Sequence, residues 1–232
     1  MKKSKVKRIH FDEIGSTNDY AKTLRARGED VVITADRQTG GRGTKGRSFS
    51  SDKGGVYVTK LSFYQDFPAK RAFEIMADAA VAVCETLEFY GLRPVIKWAN
   101  DIFVDDRKIC GILIENVFSG NSVSSSTVGI GLNVCNELPK ELDGIATTMS
   151  KILQKELSVT EVRERLLTCL ENPKGMDAYL SRIGYMGRQA TVILGEENLP
   201  VTLLSVDSEG GLWVETQGEK RRFAAAEVSL KL

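Results

Sequence analysis

Between Pro68 and Tyr90 the apolar residues Ala72, Met76, Ala79, Val83, Leu87 and Tyr90 recur every three or four positions, the period of a single buried helical face. A helix striped in this way must lay that face on another layer, and the sequence on both sides supplies one. Lys7 to Ile14, Val31 to Ala35 and Val56 to Phe63 precede it. Val95 to Val104, Ile109 to Phe118 and Thr127 to Val134 follow, all of strand character. The turn Asp105-Asp106-Arg107 and the Ser-rich stretch from Ser119 to Ser126 connect the last three. The expected class is therefore α+β, a mixed and mostly antiparallel sheet covered by helix.

Ser16 is placed to cap a short helix starting near Thr17, with Asp19 in its first turn and Gly28 as its stop. Ser158 and Glu161 form a capping box for a helix carrying Val162, Leu166, Leu167 and Leu170; Pro173 and Gly175 interrupt it before Ala178 to Ile183. From Tyr185 onward the texture changes. The runs Ala190–Leu194, Pro200–Val206, Gly211–Glu215, Arg221–Ala224 and Val228–Leu230 are short and separated by turn formers, which predicts a small all-β barrel. Residues 1–184 are thus expected to form one body and residues 185–232 a small second one.

A chain of 232 residues suits that division, since single cores stop growing at roughly 250–300 residues. With 32 Lys and Arg against 31 Asp and Glu, the net charge of +1 supplies no general field for nucleic acid. Cys84, Cys110, Cys135 and Cys169 show neither a C-x-x-C pair nor the rhythm of a disulfide framework, so a reducing, cytoplasmic setting is expected. The basic start, Met1 to Arg8, leads into no apolar stretch, and no segment approaches the ~20 apolar residues of a membrane span. His10 is the only histidine, so histidine catalysis and zinc binding are not expected and no metal ligands are assigned. The chemistry must rest on Lys, Arg, Asp and backbone groups.

Three segments stand out. Gln38-Thr39-Gly40-Gly41-Arg42-Gly43-Thr44-Lys45-Gly46-Arg47 packs glycines and cations into a strand-to-strand loop. Glycines let successive N–H groups approach an anion and Arg can fork onto a carboxylate or phosphate; the same composition also suits a solvated hairpin loop. It is not a Walker loop, because the G-x-x-x-x-G-K-[ST] order is absent. In Lys97-Trp98-Ala99-Asn100-Asp101 polar groups interrupt an apolar strand, where they must meet a ligand or each other, or else cap a turn. Lys108 opens the apolar strand Ile109-Cys110-Gly111-Ile112-Leu113-Ile114-Glu115; alone it reads equally as a solvated strand end. Ser16-Thr17-Asn18 and Gly129-Ile130-Gly131-Leu132-Asn133 are weaker signals, a cap and a bulge on their bland readings.

In this order and over nearly the whole chain, these segments resemble the biotin protein ligase family. Its markers are Ser-Thr-Asn, a Gln-x-x-Gly-Arg-Gly loop, Lys-Trp-Pro-Asn-Asp, Arg-Lys-x-x-Gly-Ile-Leu-x-Glu and Gly-x-Gly-x-Asn. The resemblance implies a catalytic α/β domain related to class II aminoacyl-tRNA synthetases and lipoate ligases, followed by an SH3-like barrel. It implies ATP-dependent activation of biotin to biotinyl-5′-AMP and transfer to a lysine of a biotin carboxyl carrier protein or domain, with Mg²⁺ as activating ion. Ser16, Thr17 and Gln38 would address the ureido ring, with Asn18 and Gly41 beside them. Arg42 and Gly43 would lie at the activated carboxyl, and Lys108 would bind that carboxyl or the α-phosphate. Lys97 would be a further phosphate contact, and Asp101 would assist the acceptor lysine. Asn100 and Asn133 would serve the nucleotide, together with Thr44, Lys45, Arg47 and Phe49.

The chain departs from the pattern in three places. Ala99 replaces the usual proline, which should loosen the strand end without removing a ligand. Thr44 stands where some members carry a further arginine, which bears on how tightly adenylate is retained. Phe49 falls where a tryptophan stacks on adenine, and a phenyl ring offers less area. The Ser-Thr-Asn motif already begins at residue 16, so the family's optional DNA-binding domain and repressor activity are not expected; nor is a membrane partner, and the chain is expected as a monomer or homodimer. A lipoate or octanoate ligase is the nearest alternative; the Arg-Arg-x-x-Gly-Gly-Gly stretch of those enzymes is absent, and Gln38 suits a polar ring better than an alkyl chain. A non-enzymatic module binding RNA or protein through its barrel is the second, with Lys220-Arg221-Arg222 as its one basic cluster.

Overall fold

The computed structural model describes residues 6–232. Its main layer is a seven-stranded sheet. The chain enters with β1 (Lys7–Phe11), helix α1 (Thr17–Thr23) and β2 (Val31–Ala35), runs through the long β3 (Val56–Pro68) and then through helix α2 (Phe73–Phe89). β4 (Val95–Lys97), β5 (Asp101–Val104), β6 (Arg107–Ser119) and β7 (Ser122–Leu132) complete the sheet in the order β1-β2-β3-β7-β6-β5-β4. Only β1 and β2 run parallel; every other neighbouring pair is antiparallel, so the sheet is mixed. The chain is thus α+β.

Strand alternation decides which face each side chain joins. Val56 and Val58 of β3, with Ile112 of β6 and Val128, Ile130 and Leu132 of β7, face the large core that takes in Ala79, Val83 and Leu87 of α2. Leu87 is fully buried, and such burial contributes about 1.5–3 kcal/mol. The opposite face carries α1, where Ala21 and Leu24 pack with Val31, Ile33 and Leu61. Ser16 is the N-cap, its side chain accepting the N–H of Asp19 at 3.3 Å. The same face holds Thr59, Gly129 and Leu113 side by side across three strands.

After β7 come three helices, α3 (Met149–Leu153), α4 (Val159–Leu170) and α5 (Gly175–Leu180), of which α4 and α5 pack on α2. Ser158 caps α4 through Glu161 N–H, as its sequence predicts. A second sheet follows, built from β8 (Gln189–Leu194), β9 (Glu197–Val206), β10 (Leu212–Thr216), β11 (Glu219–Phe223) and β12 (Ser229–Lys231), all antiparallel in the order β11-β10-β9-β8-β12. Among the described residues no pairing joins β11 to β12, so the sheet is open where a closed barrel was expected. Trp98 and Ala99 of the first body belong to its core, beside Val192, Leu203, Leu212 and Val214.

Other expectations need correction. Val95 to Val104 is not one strand: it folds back after Lys97, and β4 pairs with β5 through Lys97 opposite Asp101. Ser124, Ser125 and Ser126 are not in a turn but inside β7, because that strand is paired on both sides and the ladder outweighs the turn preference of serine. The striped helix starts at Phe73 rather than Pro68, β3 and a single 3-10 turn occupying the difference. The basic residues 1–5 lie outside the described residues.

Candidate functional site

The fold-back between β4 and β5 is the centre of the site. Asn100 clamps it to β6, receiving Ile112 N–H on its carbonyl at 3.1 Å and donating from Nδ2 to Ile112 O at 2.7 Å. Trp98 anchors it from behind by donating Nε1–H to Gly210 O at 2.9 Å, and Tyr179 donates its hydroxyl to Ala99 O at 2.8 Å. The Trp98–Ala99 peptide is cis. Asp101 and Lys108 thereby meet across β5 and β6, Nζ to Oδ1 at 2.7 Å, each about a third exposed. Lys97 lies beside them over the Phe103 ring. Burial pulls its ammonium below the usual lysine range, Lys108 and Arg47 adding to the effect and Asp101 opposing it.

The glycine-rich loop is a hairpin. Arg42 bridges Ser48, Gly43 N–H donates to Arg47 O at 2.7 Å and Phe49 N–H to Gly41 O at 2.9 Å. At Gly41 a Cβ would lie 2.3 Å from the Phe49 carbonyl, so the two arms close only over glycine. Arg42 pairs with Asp19 of α1 at 2.5 Å. Burial works to raise the Asp19 carboxyl, but hydrogen bonds from Arg42 and Lys22 outweigh it and hold the group below its ordinary range. Lys22 continues this chain of charges to Glu115 at 2.8 Å. The Phe49 ring packs against the backbone of β6 and β7: a Cβ on Gly131 would lie 2.4 Å from it, and one on Gly111 3.2 Å.

Two cavities meet at this loop. The smaller, about 40 Å³, is lined by Ser16, Thr17, Asn18, Gln38 and Arg42 together with the backbone of Gly111, Gly129 and Gly131. The larger, about 390 Å³, takes in Lys45, Arg47, Lys97 and Asn133, with an apolar wall of Leu138, Leu142 and Ile145 together with Leu230 of β12 and Val228 just before that strand. Gly43, Thr44, Phe49, Asn100, Asp101 and Lys108 line both. Asp101 is the only carboxylate on either wall.

Of the residues singled out from the sequence, all but Gly41 line one cavity or the other; Gly41 shapes the loop from behind. Arg42 and Lys108, both expected at the activated carboxyl, are each already paired with a carboxylate. Asn133 is 4% exposed and engaged at both ends, donating to Thr147 O and accepting from Asn136 Nδ2, both at 3.2 Å. Sequence reasoning missed Asp19 as the partner of Arg42, and Thr59, which joins Thr17 to Asn18. Neither carries a local signal: one reads as a helix-cap acid and the other as an ordinary strand threonine. His10, Asp12 and Asp36 offer ligand atoms within 4.8 Å of one another, but on the surface and with Asp36 also paired to Arg163 at 3.3 Å. No helix among the described residues is long and apolar enough to cross a membrane.

A family model described as the Biotin/lipoate A/B protein ligase family matches residues 11–133. The chain is 30% identical over 240 residues to the bifunctional ligase/repressor BirA of Bacillus subtilis, covering 96% of this chain and 73% of that protein. It is 26% identical to a biotin–[acetyl-CoA-carboxylase] ligase of Mycobacterium tuberculosis, covering 93% and 86%. The solved biotin protein ligase from Aquifex aeolicus, in complex with biotin and ATP, superposes with a TM-score of 0.80 at 26% identity, covering 97% of this chain and 98% of that one.

Proposed function

The chain belongs to the biotin/lipoate A/B protein ligase family, and from that premise we propose that it is an ATP-dependent biotin protein ligase, forming biotinyl-5′-AMP and transferring biotin to a lysine of a carrier protein. The observation that carries this reading is the pair of cavities with a shared wall. Joining a carboxylic acid to a nucleotide needs two binding sites whose ends touch, and here they touch at Lys108, Asp101 and the glycine-rich loop.

In this reading the polar small cavity takes the ureido ring through Ser16, Thr17, Asn18 and Gln38. The large one takes ATP, with adenine against its apolar wall and Phe49, and the phosphates toward Lys97, Arg47 and Lys45; Asn100 stands in the wall that the two cavities share and Asn133 in that of the large one. The biotin carboxylate attacks the α-phosphorus, the bond to the β-phosphate breaks and pyrophosphate leaves. Lys108 and Arg42 stabilise the charge gathering at that phosphorus by exchanging their present carboxylate partners for phosphate oxygens. Mg²⁺ would add further neutralisation of phosphate charge there, and Asp101 is the side chain on these walls that would hold it. The acceptor amine then attacks the anhydride carbonyl, AMP leaves, and Asp101, freed by Lys108, is placed to take the amine proton. A cavity of about 40 Å³ holds little more than a water or two, so the loop must lift Phe49 from Gly111 and Gly131 to admit biotin and close again over the adenylate, excluding water.

On the same reading residues 1–184 are the catalytic unit and residues 185–232 the family's SH3-like unit, a view supported by five short antiparallel strands around Val192, Val201 and Leu203. The acceptor is a biotin carboxyl carrier protein and the setting cytoplasmic, which the free state of all four cysteines supports. The test is mass spectrometry of a biotin carrier domain incubated with the protein, biotin, ATP and Mg²⁺. A biotinyl adduct on one lysine is expected; an unmodified carrier and no pyrophosphate would overturn the reading. A lipoyl adduct formed in preference would move it to the sister activity.

A further inference from the structure

Residues 42–48, the tip of the glycine-rich loop, are tied to the rest of the protein at a single polar point. The base of the loop is pinned by its backbone: Thr39 N–H donates to Ile14 O at 3.0 Å, Gly40 N–H to Gly15 O at 2.7 Å and Gln38 N–H to Ser51 O at 2.9 Å. Beyond Gly41 the bonds stay within the hairpin, from Gly43 to Arg47 and from Arg47 to Thr44. Among the described residues, the pair of Arg42 Nη1 with Asp19 Oδ1 at 2.5 Å is the only hydrogen bond or ion pair that leaves residues 42–48 for another part of the chain.

Asp19 does not hold Arg42 in isolation. The same Oδ1 receives Lys22 Nζ at 3.3 Å, and Lys22 reaches on to Glu115 at 2.8 Å. Two cations and two carboxylates thus alternate from the loop across α1 to β6. When Arg42 turns to another anion, Asp19 keeps Lys22 beside it and is not left as an unpaired charge. Arg42 and Asp19 are each about half exposed, and a pair so open to water shifts an equilibrium by no more than about fivefold. Such a tie biases the tip toward α1 and still gives way to a phosphate.

We propose that Asp19 is a positioning residue that stands in for the substrate's anion: it holds Arg42, and with it the loop tip, against α1 until an acyl phosphate takes the guanidinium from it. The two anions are rivals for one cation. Asp19 therefore restrains the tip only before the acyl phosphate arrives, and has no hold on it afterwards. The guanidinium stays charged throughout, so the exchange needs no proton transfer and responds to ionic strength instead.

The inference rests on the ligase reading for the identity of the displacing anion. Its test is limited trypsin digestion of the wild type, Asp19→Asn and Asp19→Glu, each without ligand and saturated with biotinyl-5′-AMP. Cuts after Lys45 and Arg47 are followed by mass spectrometry and timed against cuts elsewhere in the chain, since cleavage tracks the population of the open loop. Without ligand, Asp19→Asn is expected to be cut about three- to fivefold faster than the wild type, and Asp19→Glu at close to the wild-type rate. With biotinyl-5′-AMP all three should be cut equally slowly. Raising salt from about 0.05 M to about 0.5 M should speed these cuts in the unliganded wild type and not in Asp19→Asn; the wild-type salt series decides the matter should the variant fail to fold. Equal rates for unliganded Asp19→Asn and wild type overturn the proposal, as does a wild type indifferent to salt. An Asp19→Asn loop cut faster by the same factor in both states also overturns it, because that marks a purely structural prop. If biotinyl-5′-AMP slows cleavage of none of the three proteins, the ligase reading falls, and the unliganded comparisons still judge the role of Asp19.

Discussion

Replacing Lys108 by methionine keeps most of the side-chain volume and removes the charge at the junction of the two cavities. Its ammonium stands 2.7 Å from Asp101 with about a third of the side chain exposed. A phosphate oxygen taking the place of that carboxylate within ~4 Å gains about 4 kcal/mol at an effective dielectric of 20. Loss of one preorganised charge donor in enzymes costs roughly 2.7–4 kcal/mol, a fall in adenylate formation of about 10²–10³-fold. The effect on stability should be far smaller, since a pair this open to solvent contributes at most about 1 kcal/mol, or about 2–4 °C in Tm for a chain of this size. The assay is the initial rate of pyrophosphate release with biotin and ATP, run beside a thermal melt. Pyrophosphate release within about twofold of wild type would refute the assignment of Lys108 to the reacting phosphorus, and a collapse in Tm would show that the pair is chiefly structural.

Asp101→Ala should depress transfer from preformed biotinyl-5′-AMP by at least about 10²-fold, the lower end of general-base effects, while pyrophosphate release falls far less; single-turnover kinetics of the two steps separates them. In Gly131→Ala the new Cβ would lie 2.4 Å from Phe49, so the ring and its loop must lift, and trypsin cleavage at Lys45 and Arg47 should accelerate about tenfold as the open population rises; an unchanged cleavage rate would mean that the ring does not hold the loop down. Asp207 is held at about 2, below its ordinary 3.8, by a hydrogen bond from Arg222 that outweighs burial, with Gly211, Trp213 and Glu209 adding theirs. A depressed carboxyl pKa stabilises the fold above the unfolded value, and that contribution fades as pH falls from about 4 toward 2. Asp207→Asn should therefore lower Tm at pH 7 and flatten its decline across that window, which melts at a series of pH values would reveal.

Much of the fold was legible because local chemistry and tertiary structure agree. Ser16 and Ser158 cap the helices they introduce, β2 spans the β-branched run Val31–Ala35, and the stripe through Val83 and Leu87 lies on the sheet. What was illegible depends on partners distant in sequence. The fold-back at Trp98 contains neither glycine nor proline; it is made by Asn100 clamping Ile112 and by an indole buried under residues more than ninety positions later. The serines of β7 read as a turn until both neighbouring strands claim their backbone. The motif residues were visible singly, but the ion pairs of Arg42 with Asp19 and of Lys108 with Asp101 arise from a loop meeting a helix and from the register of two strands. Thr59 was silent for the same reason, since its hydroxyl meets Thr17 and Asn18 only where β3 passes under α1.

Trp98 sits next to the reacting groups in sequence, yet its ring is part of the core of the second sheet. The C-terminal strands are therefore no detachable accessory. A shortened version ending after α5 would bare an indole at the very bend that brings Asp101 opposite Lys108, and the alignment of those two would go with it. Efforts to miniaturise this protein would have to begin by giving that tryptophan somewhere else to hide.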